Sequence, residues 1–169
     1  MFGNVKTLRE LFEIELRYAY DAEKKLVEKG LPSMIEHASS PELRSALQAH
    51  LGETQVQVTR LGRVFGALGI EPDTKSNDIL EKMMSAAKDS ASNIEESSLR
   101  DAALIANGNI VEHYEIALYG SLVAFAKALG LQNAVGPLQE TLEEEKKADA
   151  KLSQLAQGVT NTRAARQSA

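Results

Sequence analysis

Four prolines and eleven glycines are all that interrupt long runs of Ala, Leu, Glu, Lys and Gln, and this constrains the fold more than any other feature of the chain. Those residues form helices readily, because they lose little side-chain freedom there and do not compete for backbone hydrogen bonds. The chain therefore reads as helices throughout. The first is expected from about Val5 to Lys29, with Leu8, Leu11, Phe12, Ala19, Ala22 and Leu26 on one face, stopping near Gly30-Leu31-Pro32. After a turn at Ser33 to Ala38, Ser40-Pro41-Glu42 has the form of an N-cap with proline at the first helical position. It opens a second long helix that carries Leu43, Leu47, Leu51, Val58, Leu61 and Phe65 inward as far as Gly69.

Pro72 to Ser76 reads as a loop and Asp78 to Ser90 as a short amphipathic crossover helix with Ile79, Met83 and Ala86. A third long helix from about Ser98 to Leu129 presents Leu104, Val111, Leu118, Leu122, Phe125 and Leu129, and a fourth, after Gly130, presents Leu131, Val135, Leu138, Leu142, Leu152 and Leu155. Two antiparallel hairpins joined by a long crossover form an all-α, ferritin-like four-helix bundle. A faint internal repeat, Leu47 to Glu53 against Leu138 to Glu144, agrees with it. The bundle is expected to occupy residues 1–158, with a flexible C-terminal tail over 159–169.

Charge and composition exclude several functions. The net charge of -5 and the absence of any strong Lys/Arg block argue against nucleic acid, since only Arg163 and Arg166 stand in the tail. No stretch is apolar for long enough to cross a membrane, and the N-terminus lacks a basic start followed by an apolar run, so a cytoplasmic location is expected. With no cysteine, any metal must be held by carboxylates and imidazoles.

Ionisable side chains on the apolar stripes carry the functional information, because a charge inside a bundle must be paired or bind metal. At 100° per residue His50 falls at the centre of the second helix's stripe, with Glu53, Thr54 and Gln57 beside it. On the third helix Glu115 is central and Glu112 lies toward the margin. On the fourth, Glu145 and Asp149 continue the stripe and Glu144 is at its edge, while the first helix offers Glu23, and Glu15 further back. Glu23 to Glu53 and Glu115 to Glu145 both span 30 positions, so antiparallel hairpins would bring the four to one level. Clustered carboxylates repel one another unless cations neutralise them, and a pair of iron or manganese ions suits this mixture. The competing reading makes Glu23, Glu53, Glu112 and Glu144 solvated flank charges and His50 a hydrogen-bonded core residue. His37 and His113 face elsewhere, and the four tyrosines read as packing residues with hydroxyls near water.

Taken together, the segments Tyr20-Asp21-Ala22-Glu23-Lys24-Lys25-Leu26, His50-Leu51-Gly52-Glu53-Thr54, Val111-Glu112-His113-Tyr114-Glu115-Ile116 and Gln139-Glu140-Thr141-Leu142-Glu143-Glu144-Glu145-Lys146 resemble the YciF/YciE-like family of bacterial ferritin-like stress-associated proteins. The resemblance implies a ferritin-like or rubrerythrin-like fold, a homodimer, a role in stress response and a di-metal site. This sequence departs from familiar di-iron bundles in two ways. The second helix reads His50-x-x-Glu53 where those carry Glu-x-x-His, and Glu145 has Ala148 at the histidine offset, leaving Asp149 as a substitute oxygen ligand.

Two functions follow as expectations. One is a di-iron or di-manganese protein, an oxidoreductase of rubrerythrin or catalase type that reacts with peroxide or oxygen, with ligands among Glu23, His50, Glu53, Glu112, Glu115, Glu144, Glu145 and Asp149. The alternative is a non-catalytic dimeric stress protein that acts through protein–protein contact and keeps a vestigial site, with Phe65, Leu68 and Ile70 as an apolar patch for pairing.

Overall fold

The computed structural model describes residues 5–166, and the ends of the predicted tail and N-terminus (1–4 and 167–169) lie outside them. Among the described residues seven α-helices follow in chain order: α1 (Leu8–Lys25), α2 (Leu31–His37), α3 (Pro41–Ala67), α4 (Asp78–Asn93), α5 (Ser97–Ala128), α6 (Gln132–Leu155) and α7 (Asn161–Arg166). Four of them, α1, α3, α5 and α6, make the ferritin-like bundle, and α4 lies in the crossover, packed on α5 and α2.

Helix ends are set by local chemistry. Thr7 caps α1 in a capping box, its hydroxyl accepting the Glu10 N–H (3.1 Å) while Glu10 Oε2 accepts the Thr7 N–H (3.1 Å). Ser40 caps α3 ahead of Pro41, as the sequence predicts, and the two oxygens of Asp101 on α5 accept the Ser39 and Ser40 N–H groups at 2.7 Å each. At the other ends Gly69 and Gly130 both adopt φ +69°. Each closes a Schellman motif, with Ile70 N–H on Phe65 O (3.2 Å) and Leu131 N–H on Ala126 O (2.9 Å). Helices α3 and α5 thus end alike.

The first helix does not stop at Pro32. It runs through a π-helical segment, Leu26–Gly30, into α2, and the Leu31 N–H reaches back five residues to Leu26 O. The looser turn adds a residue to the ladder just where Pro32 cannot donate, so the helix passes the proline instead of breaking. A second π segment, Ala156–Thr160, carries α6 into α7. Of the stretch expected as a tail, residues Asn161–Arg166 are helical and pack on α5 with Ala164 buried. The apolar patch expected at the α3 end is also corrected, because Phe65 is fully buried and Leu68 and Ile70 pack against the core around it.

Two apolar clusters fill the bundle. One gathers Phe12, Leu16, Leu61, Phe65, Leu118, Leu122 and Leu138; the other gathers Leu26, Leu31, Leu43, Leu47, Leu104 and Leu152. Along α1, α3, α5 and α6 alike, the residues between these clusters are polar and buried: Glu23; His50, Thr54 and Gln57; Glu112 and Glu115; Thr141 and Glu145. A polar layer therefore crosses the bundle between two apolar clusters.

Candidate metal centre

Within that layer His50 on α3, Glu112 on α5 and Glu145 on α6 each present one ligand atom, all within 4.8 Å of one another. His50 Nε2 is 3.2 Å from Glu112 Oε1 and 3.8 Å from Glu145 Oε2. Glu23 from α1 and Glu115 from α5 lie in the same layer, each only 1% exposed. Four carboxylate oxygens here, Glu23 Oε2, Glu112 Oε2, Glu115 Oε1 and Glu145 Oε2, are buried and lack any hydrogen-bond partner. Such groups are costly in a folded interior unless a proton or a cation satisfies them.

The electrostatics follow from that crowding. Burial pushes Glu145 up to about 10 and Glu23 up to about 7, the latter restrained by the hydroxyl of Tyr119. Glu115 is raised well above the usual carboxylate range by burial and by the charges of Glu23, Glu145 and Glu112. Burial alone would depress His50, but Glu112, Glu53 and Glu145 outweigh it and hold the imidazole well above its ordinary value. Without a cation, protons occupy the layer. Donors of hard oxygen and one imidazole nitrogen at this spacing fit a divalent first-row metal, and the unpartnered oxygens fit a group that brings positive charge.

The surrounding shell fixes the ligands. Tyr119 O–H donates to Glu23 Oε1 at 2.5 Å, and Gln57 Nε2 donates to Glu145 Oε1 at 2.5 Å. Arg60 binds both oxygens of Glu144 (2.7 and 2.9 Å) and donates to Thr141 Oγ1 at 2.8 Å. A guanidinium fork on a carboxylate is strong and directional, so Glu144 is held on Arg60 and away from His50.

Of the eight residues the sequence nominates, five enter the buried layer: Glu23, His50, Glu112, Glu115 and Glu145. Glu53 is at its edge, with a side chain 53% exposed and its carboxylate 3.5 Å from His50 Nδ1. Glu144 is taken by Arg60. Asp149 lies 3.1 Å from His113 Nδ1, with its Oδ1 buried and without a hydrogen-bond partner. The expectation that tyrosine hydroxyls sit near water fails for Tyr119, which is 1% exposed and points its hydroxyl at Glu23. Arg60 and Thr141 are missed by the stripe reading; the signal that could have found Arg60 is its place three residues after Gln57 and one turn from Val64.

A helical bundle with a buried histidine–carboxylate layer is the class of protein that this fold and site define. The chain belongs to the family described as Domain of unknown function (DUF892), which matches residues 7–165. It is 38% identical over 165 residues to Protein YciF of Escherichia coli (strain K12), covering 95% of this chain and 97% of that one. The crystal structure of the E. coli stress protein YciF superposes with a TM-score of 0.88 at 37% identity, over 93% of this chain and 99% of that chain. YcfI from Rhodopseudomonas palustris superposes with a TM-score of 0.87 at 40% identity, over 90% and 98% of the two chains. No helix among the described residues is long and apolar enough to cross a membrane.

Proposed function

We propose that the layer binds two divalent iron or manganese ions and that the chain acts in stress response by reacting with peroxide or oxygen. The observation that carries this reading is the set of four buried, unpartnered carboxylate oxygens around His50. His50, Glu112 and Glu145 would hold one ion, and Glu23 and Glu115 would complete the pair. Iron or manganese bound there supplies a Lewis acid and a redox centre with positions open to an oxidant.

The chain's own residues do the rest. Tyr119 fixes Glu23 and keeps a proton at the Glu23 Oε1 side of the layer, and Gln57 orients Glu145. The Thr54 hydroxyl donates to the His50 carbonyl (2.9 Å), which satisfies a buried polar group inside α3 beside the ligand. The apolar cluster around Phe12, Leu61 and Leu122 closes one side of the layer. The name of the E. coli relative, a stress protein, supports the physiological setting.

The test is metal analysis of protein purified without chelator and after reconstitution, beside a His50→Ala/Glu115→Gln double variant. About two iron or manganese ions per chain, lost in the variant, and metal-dependent consumption of peroxide are expected. Protein that stays metal-free after reconstitution would sink the reading.

A further inference from the structure

The half of the bundle built around Leu26, Leu47 and Leu104 is not solid. It encloses a cavity of about 910 Å³, at the upper end of the range for small-molecule sites. Leu31, Met34, Leu47, Met84, Leu104 and Leu152 form its apolar walls, and the π segment after α1 contributes Leu26, Lys29 and Gly30. At the polar layer the lining changes to His50, Glu112 and Glu115, where Glu112 Oε2 and Glu115 Oε1 are among the buried oxygens without partners. One chamber therefore reaches from the metal centre to the surface.

Lysines outnumber acids on its rim. Lys29, Lys88, Lys147 and Lys151 stand there exposed, without a salt bridge to another described residue. The acids on the same rim are Glu36, Glu53 and Glu81, and Glu81 shares Lys25 with Asp21 (2.5 and 2.6 Å), so four lysines face three carboxylates. An otherwise acidic protein of net charge -5 thus carries a small excess of lysine over carboxylate at the mouth of an apolar chamber.

We propose that this chamber binds a single-chain amphiphile with an anionic head. The head sits on the lysine rim and the chain runs along Leu31, Leu47 and Leu104 toward His50 and Glu115. Its role as the substrate of the metal centre rests on the function proposed above; its binding does not, since the walls and rim need no metal.

The test is calorimetric titration of the full chain with octanoate, decanoate and dodecanoate below their micelle concentrations, with dodecyltrimethylammonium as the cationic control. The expected result is one saturable site whose affinity rises about 3- to 4-fold per added methylene, as burial of alkyl surface requires. Ala87→Trp, which places an indole against the chamber lining, should weaken dodecanoate by at least about tenfold. The exposed pair Lys88→Glu/Lys151→Glu should lose dodecanoate and gain the cationic probe without change in helical circular dichroism; it decides the matter if Ala87→Trp does not fold. No saturable binding of dodecanoate, equal binding of both probes by the parent chain, or indifference to the charge reversal overturns the proposal. Metal content, measured on the same samples, reports separately. Saturable dodecanoate binding in protein that takes up no metal supports the chamber and removes the metal reading, and full metal loading without dodecanoate binding does the reverse.

Discussion

Glu23, Glu115, Glu145 and His50 all bind protons more tightly in the metal-free fold than in the unfolded chain. For a group raised in this way the stabilisation is complete below its unfolded value and disappears as pH climbs through the folded one: from 4.5 to about 7 for Glu23, and onward to about 10 for Glu145. Carboxylates that are lowered, such as Glu10, Glu42 and Glu143, finish titrating below this window. Urea unfolding with chelator present should therefore show stability falling between pH 5.5 and 8.5, by up to about 1.4 kcal/mol per pH unit for each proton released; a flat or rising profile contradicts the burial of these acids. Glu115→Gln should flatten that slope while abolishing metal uptake. Tyr119→Phe and Gln57→Leu, which remove the donors that hold Glu23 and Glu145, should each weaken metal binding by about 10- to 100-fold in a competition titration. At this scale the burial of His50, Glu115 and Glu145 is legible because the first two fall at stripe centres and the third continues its helix's stripe. Glu144 is not, because its place is set by Arg60, a partner that approaches from another helix and leaves no trace in spacing. The long flexible stem of an arginine makes its target still harder to read.

Among the elements, the capped ends are the legible parts. Ser40-Pro41 and the glycines at 69 and 130 stand where the sequence places them, because caps and left-handed residues are local requirements. Gly69→Ala and Gly130→Ala should each cost about 1 kcal/mol, measured by urea unfolding, since alanine is strained at φ +69°. Asp101→Ala strips acceptors from the Ser39 and Ser40 N–H groups and should cost about 2–3 kcal/mol by the same measurement. What the sequence hides is the continuation past Pro32. The hydrogen bond from Leu31 to Leu26 is a change of ladder register that no single residue preference encodes. The same holds for Asn161–Arg166, whose polar composition suggests a free tail although α5 offers Ala164 a surface to bury against.

For the molecule as a whole, the bundle is two apolar blocks with a charged layer between them. A ligand that binds only the folded layer adds stability by mass action, so manganese at about 100 times its dissociation constant should add about 2.7 kcal/mol, raising the melting temperature reversibly with chelator and leaving the His50→Ala/Glu115→Gln variant unmoved. The crossover, α4 and its approach, is fastened to this frame by Asn77, whose N–H donates to Asp21 (2.8 Å) and whose amide donates to Tyr114 (2.7 Å). The architecture was legible from helix periodicity because both blocks repeat the same apolar spacing on every long helix, whereas the chamber was not, because a void is a property of how walls meet and not of any residue in them. The layer has a last consequence for the chain's life in a cell. On the metal reading proposed above, a chain starved of metal would loosen at this waist first, and proteases that cut loosened chains would make its abundance a gauge of metal supply.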